Sequence, residues 1–208
     1  MLEKLDQVGT PGGTKSMLHE FNDSLARSHE AQDLPFWEPV YRTFFGDLFD
    51  TMINHRDNDE AQHRGIDRVV MLKTTKAIRI DEKVRWKDYG DIALEYWSDY
   101  ERRKPGWVCK SLDCDFIAYA IAPAGICYLL PTIQLQVAWN VKKDEWIANY
   151  RRVPSETMCP YTGRIWRTIS VAIPPAVLFG NLLSAATARF EPISSAKEIK
   201  KQTAEKAE

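Results

Sequence analysis

Long hydrophobic runs are scarce in this sequence, which argues against a membrane-spanning helix. The longest apolar stretch, Ile169–Leu183, is interrupted by Pro174, Pro175 and Gly180. It is also shorter than the roughly 20 residues that a spanning helix needs. The opening residues, MLEKLDQVGTPGG, lack the apolar segment of a secretory signal. We therefore expect a cytoplasmic protein that does not enter a membrane.

Cysteine is also sparse, and its spacing gives little support to a zinc site. The chain has 4 cysteines and no CxxC pair, whereas structural zinc sites draw on closely spaced ligands. Thiols in the cytoplasm stay reduced, and free cysteines usually pack as small apolar side chains. We expect this role for Cys109, Cys114, Cys127 and Cys159.

An excess of one charge is missing as well, so bulk charge does not indicate a nucleic-acid-binding protein. The 208 residues carry a formal net charge of −1, with 44% hydrophobic and 27% charged residues, as in an ordinary globular domain. Positive charge is nevertheless concentrated between positions 64 and 87, where eight basic residues stand against three acidic ones. A phosphate backbone responds to such local fields.

Composition divides the chain into a polar N-terminal arm (1–33), a central domain (34–190) and a charged C-terminal tail (191–208). In the arm we expect a short helix around Met17–Ala26. In the central domain, apolar residues between Phe36 and Ile53 recur at three- and four-residue steps, which predicts a helix with one buried face. No internal repeat is present, and one domain is expected.

The period then changes to that of β-strands. Ile66–Leu72 and Ala77–Trp86 are predicted strands joined by a turn, and together with later strands they predict a mostly antiparallel sheet. Alternation places Ile78, Ile80, Val84 and Trp86 on one face of the second strand, and Arg79, Asp81, Lys83 and Arg85 on the other. The later predictions are strands at Asp91–Trp97, Phe116–Ile121, Ile126–Leu130 and Arg164–Ala172 (the last at an edge), a helix at Ile133–Trp139, and a helix opened by Pro174 and Pro175.

Three residues of this strand pair form the leading candidate site. Asp67 begins the first strand, and a hairpin places it across from Asp81 or Lys83 on one face. Two converging carboxylates suit Mg²⁺, which takes one or two carboxylates together with water and phosphate. A neighbouring lysine can stabilise charge on an attacked phosphate. The alternative is a solvated face of an antiparallel sheet, although aspartate is disfavoured inside strands.

The segment Gly65-Ile66-Asp67, a hairpin and then Ile80-Asp81-Glu82-Lys83 resembles the PD-(D/E)xK nuclease superfamily. That superfamily includes restriction endonucleases, Holliday-junction resolvases and many phage nucleases. The resemblance covers roughly residues 36–140 and has Gly-Ile rather than Pro before the first aspartate. It implies an α/β, restriction-endonuclease-like mixed central β-sheet flanked by helices. In such a fold Asp67 and Asp81 would bind Mg²⁺ or Mn²⁺, and Lys83 would serve the attacking water.

Further residues near these positions are candidates for the site. Glu95 is a carboxylate within an apolar run, and buried acids are rare unless paired or liganding. Glu60 and Gln62 lie just upstream of Gly65, where the superfamily often adds an acid or amide. Glu82 is kept as a further metal candidate, although alternation points it to the opposite face.

Basic and aromatic residues around these positions favour a nucleic-acid partner. The basic candidates are Arg64, Arg79, Arg85, Lys87, Arg102, Arg103 and Lys104, interleaved with Trp86, Tyr89, Tyr96, Trp97, Tyr100 and Trp107. We expect a Mg²⁺-dependent DNA endonuclease, with RNA as an alternative substrate. Its expected location is the cytoplasm of a bacterial cell, with phage origin as a variant. A homodimer is an option. The competing hypothesis is a non-catalytic nucleic-acid-binding or interaction module on the same fold.

Overall fold

Two β-sheets, rather than the one sheet expected, form the framework of the computed structural model, which describes residues 34–158 and 162–195 and the backbone of 18–20. The strands are β1 (Leu18–Glu20), β2 (Phe49–Asn54), β3 (Arg68–Leu72), β4 (Ala77–Arg85), β5 (Ile92–Asp99), β6 (Lys104–Pro105), β7 (Phe116–Ile121), β8 (Ile126–Pro131), β9 (Arg152–Met158), β10 (Ile165–Ile173) and β11 (Ala186–Arg189). The helices are α1 (Trp37–Phe45), α2 (Asp59–His63), α3 (Thr132–Asn149) and α4 (Pro175–Phe179).

Sheet I contains six strands in the order β11-β8-β7-β4-β3-β2, and sheet II contains five in the order β1-β9-β10-β5-β6. In sheet I, β2, β3 and β4 form an antiparallel meander, β4 pairs with β7 in parallel, and β7, β8 and β11 are antiparallel. The chain between β4 and β7 supplies β5 and β6 to sheet II. The fold is therefore of the mixed α/β class, and β4 lies in the interior of its sheet.

Sheet I separates two hydrophobic cores because alternate residues of its strands face opposite ways. On one side, Trp37, Val40 and Tyr41 of α1 pack with Val70 and Ile80, a cluster called here the α1-side core. On the other side, strands of sheet II and helix α3 pack against sheet I in the inter-sheet core. Its largest fully buried side chains include Ile92, Leu94, Ile117, Leu135 and Trp146.

The leading helix is shorter than the sequence predicts. It ends at Phe45, and Gly46 follows with a φ of 53°, a conformation that glycine adopts at little cost. After a short 3₁₀ turn, Phe49–Asn54 forms β2 and pairs with β3. The apolar spacing continued beyond the true helix end, but Leu48 is 50% exposed. Strand pairing thus overrode the local helical period.

Other predicted elements differ in position or extent. The strand at Ile165–Ile173 lies between β9 and β5 instead of at an edge, and the helix predicted to end at Trp139 continues to Asn149. Strand β9 was not predicted because its sequence does not alternate cleanly between apolar and polar residues, and β11 was not predicted because it has only 4 residues.

The helix predicted around Met17–Ala26 is wrong at Leu18–Glu20, because these residues form a strand that pairs in parallel with β9. The rest of that helix, and Cys159, lie outside the described residues. Among the helices that the structure describes, none has the length and apolarity required to cross a membrane.

The end of α1 can be tested by comparing two truncations to alanine. Ile80 is completely buried in the α1-side core, whereas Leu48 follows the helix and is 50% exposed. Ile80→Ala should lower the free energy of unfolding by about 2–5 kcal/mol, and Leu48→Ala by less than about 1 kcal/mol. Denaturant unfolding measures both. A large loss at Leu48 would mean that the helix continues with its apolar face buried.

Candidate active site

Strand β4 carries the central residues of the candidate site. Its Ile78, Ile80 and Val84, and Trp86 directly after it, lie on the side of the α1-side core, as strand alternation predicted. Asp81 and Lys83 point to the other side of sheet I, where the Lys83 Nζ donates to Asp81 Oδ1 at 2.7 Å. Because β4 is flanked by β3 and β7, neighbouring strands fix its backbone on both sides.

Asp67 lies directly before β3 and is held against β4 by main-chain and side-chain bonds. Its backbone N–H donates to the Ile80 carbonyl at 2.9 Å. Its Oδ2 accepts the Glu82 backbone N–H at 2.6 Å, and its Oδ1 accepts Gln62 Nε2 at 2.9 Å. The structure therefore brings Asp67 and Gln62 to the Asp81-Glu82-Lys83 segment, as expected from the sequence.

Asp81 is the least compensated carboxylate of this group. Its side chain is 6% exposed, and its Oδ2 has no hydrogen-bond partner among the described residues. Burial raises the pKa of Asp81 to about 6; the positive charge of Lys83 opposes this rise, and the negative charge of Asp67 adds to it. Desolvation lowers the pKa of the partly exposed Lys83 amine, but the charges of Asp81 and Asp67 outweigh this effect and hold that pKa above its usual value.

The carboxylates fit a hard divalent cation in their chemistry. Asp67 and Asp81 provide carboxylate oxygens, and within the described part of the chain the buried Oδ2 of Asp81 accepts no hydrogen bond. No group of three or more histidine, cysteine, aspartate or glutamate side chains in the described ranges is arranged to hold a metal ion. Mg²⁺ commonly uses only one or two protein carboxylates and takes its other ligands from water and phosphate, so the two aspartates suit this cation.

Glu95 approaches the site from sheet II. Burial raises its pKa, while the charges of Lys83 and Lys110 lower it. The Trp107 backbone N–H also bonds to the carboxylate and lowers its pKa, whereas Asp81 raises it. Glu95 is thus within electrostatic range of both β4 residues. Lys110, which the sequence did not single out, lies in the loop between β6 and β7 and carries no local motif.

Glu82 has a different role from the predicted metal ligand. Its carboxylate lies beneath α1, where Tyr41 Oη donates to Oε1 at 2.6 Å and Arg68 Nε donates to the same oxygen at 2.6 Å. Arg56 Nη2 donates to Oε2 at 3.1 Å. Strand alternation sends this side chain to the opposite face from Asp81, and there two arginines balance its charge. Glu82 is therefore a buried structural acid.

Glu60 also lies apart from the site. Its side chain is 85% exposed on the short helix α2, and its nearest charged partner is Arg64, whose Nη1 is 3.8 Å away. A solvated side chain directed towards Arg64 does not join Asp67 and Asp81. Of the two upstream candidates, only Gln62 contacts the aspartates, through Asp67.

The predicted nucleic-acid-binding residues fall into three groups. Arg64 and Arg79 are half-exposed and paired with Asp113 and Asp115. Arg85 was predicted to present its charge to a nucleic acid. Instead, its side chain is only 15% exposed and is paired with the buried Asp91, so it supports the fold. The third group, exposed to solvent, consists of Lys87, Arg102, Arg103 and Lys104.

The aromatic residues are mostly structural. Tyr96 and Trp107 are buried in the inter-sheet core, and Trp86 and Trp97 pack against the two cores. Tyr89 and Tyr100 are exposed, at 54% and 45%. Their rings lie near arginines, with Arg85 Cζ 4.8 Å from the Tyr89 centroid and Arg167 Cζ 5.2 Å from the Tyr100 centroid.

Comparison with known proteins adds no assignment: no family model matches this chain, and neither the curated proteins nor the solved structures contain a significant match.

The raised pKa of Asp81 predicts a specific dependence of stability on pH in the absence of divalent cations. The folded state holds this proton more tightly than the unfolded state, so its contribution is present at pH 4 and is lost as pH rises through about 6. The loss is on the order of 3 kcal/mol. The Asp81→Asn side chain cannot ionise, so this variant should not show this loss of stability.

Urea unfolding in EDTA from pH 4 to pH 7.5 measures this difference. The stability of Asp81→Asn relative to the unmodified protein should rise with pH and level off above pH 7. A difference that stays constant across this range would show that Asp81 titrates normally in the folded protein.

Proposed function

We propose that this chain is a Mg²⁺-dependent DNA endonuclease with a PD-(D/E)xK-type site formed by Asp67, Asp81 and Lys83. The observation that carries the proposal is the buried Asp81, which has one oxygen bonded to Lys83 and the other without a partner in the described structure. Leaving a carboxylate oxygen buried and unbonded is costly. A divalent cation shared with Asp67 would remove that cost.

Each residue has a definable task in this proposal. Asp67 and Asp81 would hold the cation, with Gln62 fixing the orientation of Asp67. The cation, Mg²⁺ or Mn²⁺, would supply positive charge at the attacked phosphodiester. Lys83, whose side chain is 32% exposed, can turn from Asp81 towards a bound phosphate and stabilise charge that develops there. Glu95 is close enough to influence both Lys83 and Asp81 electrostatically.

The arrangement of sheet I supports a restriction-endonuclease-like fold, which is part of this proposal. Helix α1 precedes an antiparallel meander, the acids lie on β3 and β4 or immediately before them, and β4 pairs in parallel with a later strand. We infer that this part of the chain has the restriction-endonuclease-like arrangement implied by the resemblance. A cytoplasmic location, a bacterial or phage origin and a homodimer belong to the same proposal.

DNA is the proposed substrate because exposed cations directly follow β4 and lie on the loop between β5 and β6. Lys87 follows β4, and Arg102, Arg103 and Lys104 precede or begin β6, all exposed to solvent. RNA offers the same phosphate backbone and remains the alternative. The competing function, a binding module without cleavage, is favoured by the closed Asp81–Lys83 pair at 2.7 Å, which also neutralises a buried acid.

Substitution of Asp81 tests the proposal directly. Asp81→Asn nearly preserves volume but removes the charge that a cation requires, so Mg²⁺-dependent cleavage of plasmid DNA should disappear. Calorimetric titration with Mn²⁺ should lose its binding heat in the same variant. Asp50→Asn, which alters an exposed aspartate of β2, is the matched control and should cleave normally.

The outcomes separate the two functions. Nicking by the unmodified protein with Mg²⁺ but not with EDTA supports the enzyme. DNA that shifts in a gel but stays uncut with either supports the binding module. Normal cleavage by Asp81→Asn would mean that the site lies elsewhere.

A second comparison separates chemistry from phosphate attraction. Lys83→Ala should lower the single-turnover cleavage rate on the order of a hundredfold, because it removes a charge donor in the reaction, with little change in DNA affinity. Lys87→Ala removes the same kind of side chain from the exposed position after β4 and should weaken DNA binding while leaving the saturated rate nearly normal. Identical behaviour of the two variants would make Lys83 an ordinary backbone contact.

A further inference from the structure

Arg56 is a buried cation that contacts both Asp67 of the candidate site and Glu82 on the α1 side of sheet I. It follows β2 at the turn leading to α2, and its side chain is only 5% exposed. Its backbone N–H donates to Asn54 Oδ1 at 3.0 Å, which fixes the turn. Its Nη2 lies 3.3 Å from Asp67 Oδ2 and 3.1 Å from Glu82 Oε2. One guanidinium nitrogen therefore bridges a structural acid and a site acid.

Glu82 has other partners that can balance its charge. Arg68 reaches both of its carboxylate oxygens, with Nε 2.6 Å from Oε1 and Nη2 3.3 Å from Oε2, and Tyr41 donates a further bond. In the described structure Asp67 forms an ion pair with Arg56, and its side-chain hydrogen bonds come from the Gln62 amide and the Glu82 backbone N–H. The balance of charge thus pairs Arg68 with Glu82 and Arg56 with Asp67.

We propose that Arg56 is a positioning residue that acts as the built-in counter-cation of Asp67 and thereby sets how weakly the site binds a divalent cation. The inference rests on the proposed function, since it concerns the affinity of the same site. A fixed guanidinium holds the Oδ2 side of Asp67 in one orientation. Its charge also repels a second cation that approaches the same carboxylate, and this repulsion is strong where water is largely excluded.

The sign of the expected effect distinguishes this role from a structural one. A variant that merely damages the site binds Mn²⁺ more weakly. Removal of a repelling charge next to a ligand instead makes Mn²⁺ bind more tightly, by at least roughly tenfold for charges a few ångströms apart. Arg56→Gln and Arg56→Met remove the charge, the second with an apolar side chain of similar length. Arg56→Lys keeps the charge and is expected to stay near the original affinity.

The experiment measures the dissociation constant of Mn²⁺ by calorimetry, and the thermal shift on addition of Mn²⁺, for the full chain and these variants. Tyr41→Phe is the matched control, because it disturbs the bonding of Glu82 without changing any charge at Asp67. The neutral variants should bind Mn²⁺ more tightly and gain more thermal stability from it than the unmodified protein. Tyr41→Phe should leave the dissociation constant unchanged.

Weaker or unchanged Mn²⁺ binding in both neutral variants would overturn the inference, as would neutral variants that stay unfolded with saturating Mn²⁺. Variants that are unfolded in EDTA but fold when Mn²⁺ is added would support it. If the unmodified protein binds no Mn²⁺ while Asp81→Asn behaves identically, the proposed function itself has failed. If the unmodified protein binds Mn²⁺ and only the Arg56 variants depart from expectation, the role of Arg56 alone has failed.

Discussion

Compensation of charge in the middle of β4 is the constraint on which the rest of the structure depends. Three consecutive residues of this interior strand are charged, and the strand has a hydrophobic core on each side. Buried charge is tolerated only when it is paired and hydrogen-bonded. On the α1 side, Glu82 satisfies this requirement through Arg68, Arg56 and Tyr41. On the other side, Asp81 meets it through Lys83 on one oxygen, while the other oxygen has no partner among the residues that the structure describes.

This asymmetry connects the fold to the proposed chemistry. The fully bonded Glu82 joins α1, the turn after β2, and β3 to one point of β4, and so provides a rigid base. Asp81, with one oxygen bonded to Lys83, stands on the opposite face of the same strand and within electrostatic range of Asp67. Functional sites placed on rigid elements hold their geometry better than sites on loops. A pKa of about 6 for Asp81 reflects the cost of that placement.

The sequence was informative where local chemistry decides the outcome. Alternation along β4 correctly separated Ile80 from Asp81, and the Asp67 hairpin brought the first acid to the second. The end of α1, by contrast, depends on the pairing of Phe49–Asn54 with β3, a contact that apolar spacing does not reveal. Arg56 was missed for the same reason, because its partners Asp67 and Glu82 are distant in sequence. Arg85 was predicted to be available to a nucleic acid, but it forms an ion pair with Asp91, a partner that the local sequence pattern does not identify.

The central claim is that Asp67 and Asp81 share a divalent cation. A crystal structure of the protein grown with Mn²⁺, with anomalous differences measured for manganese, tests it most directly. The account predicts one strong peak about 2.1 Å from Asp81 Oδ2 and from a carboxylate oxygen of Asp67, with Glu82 still bonded to Arg68. A map with no peak at these two aspartates, or with manganese bound at Glu82, would contradict it.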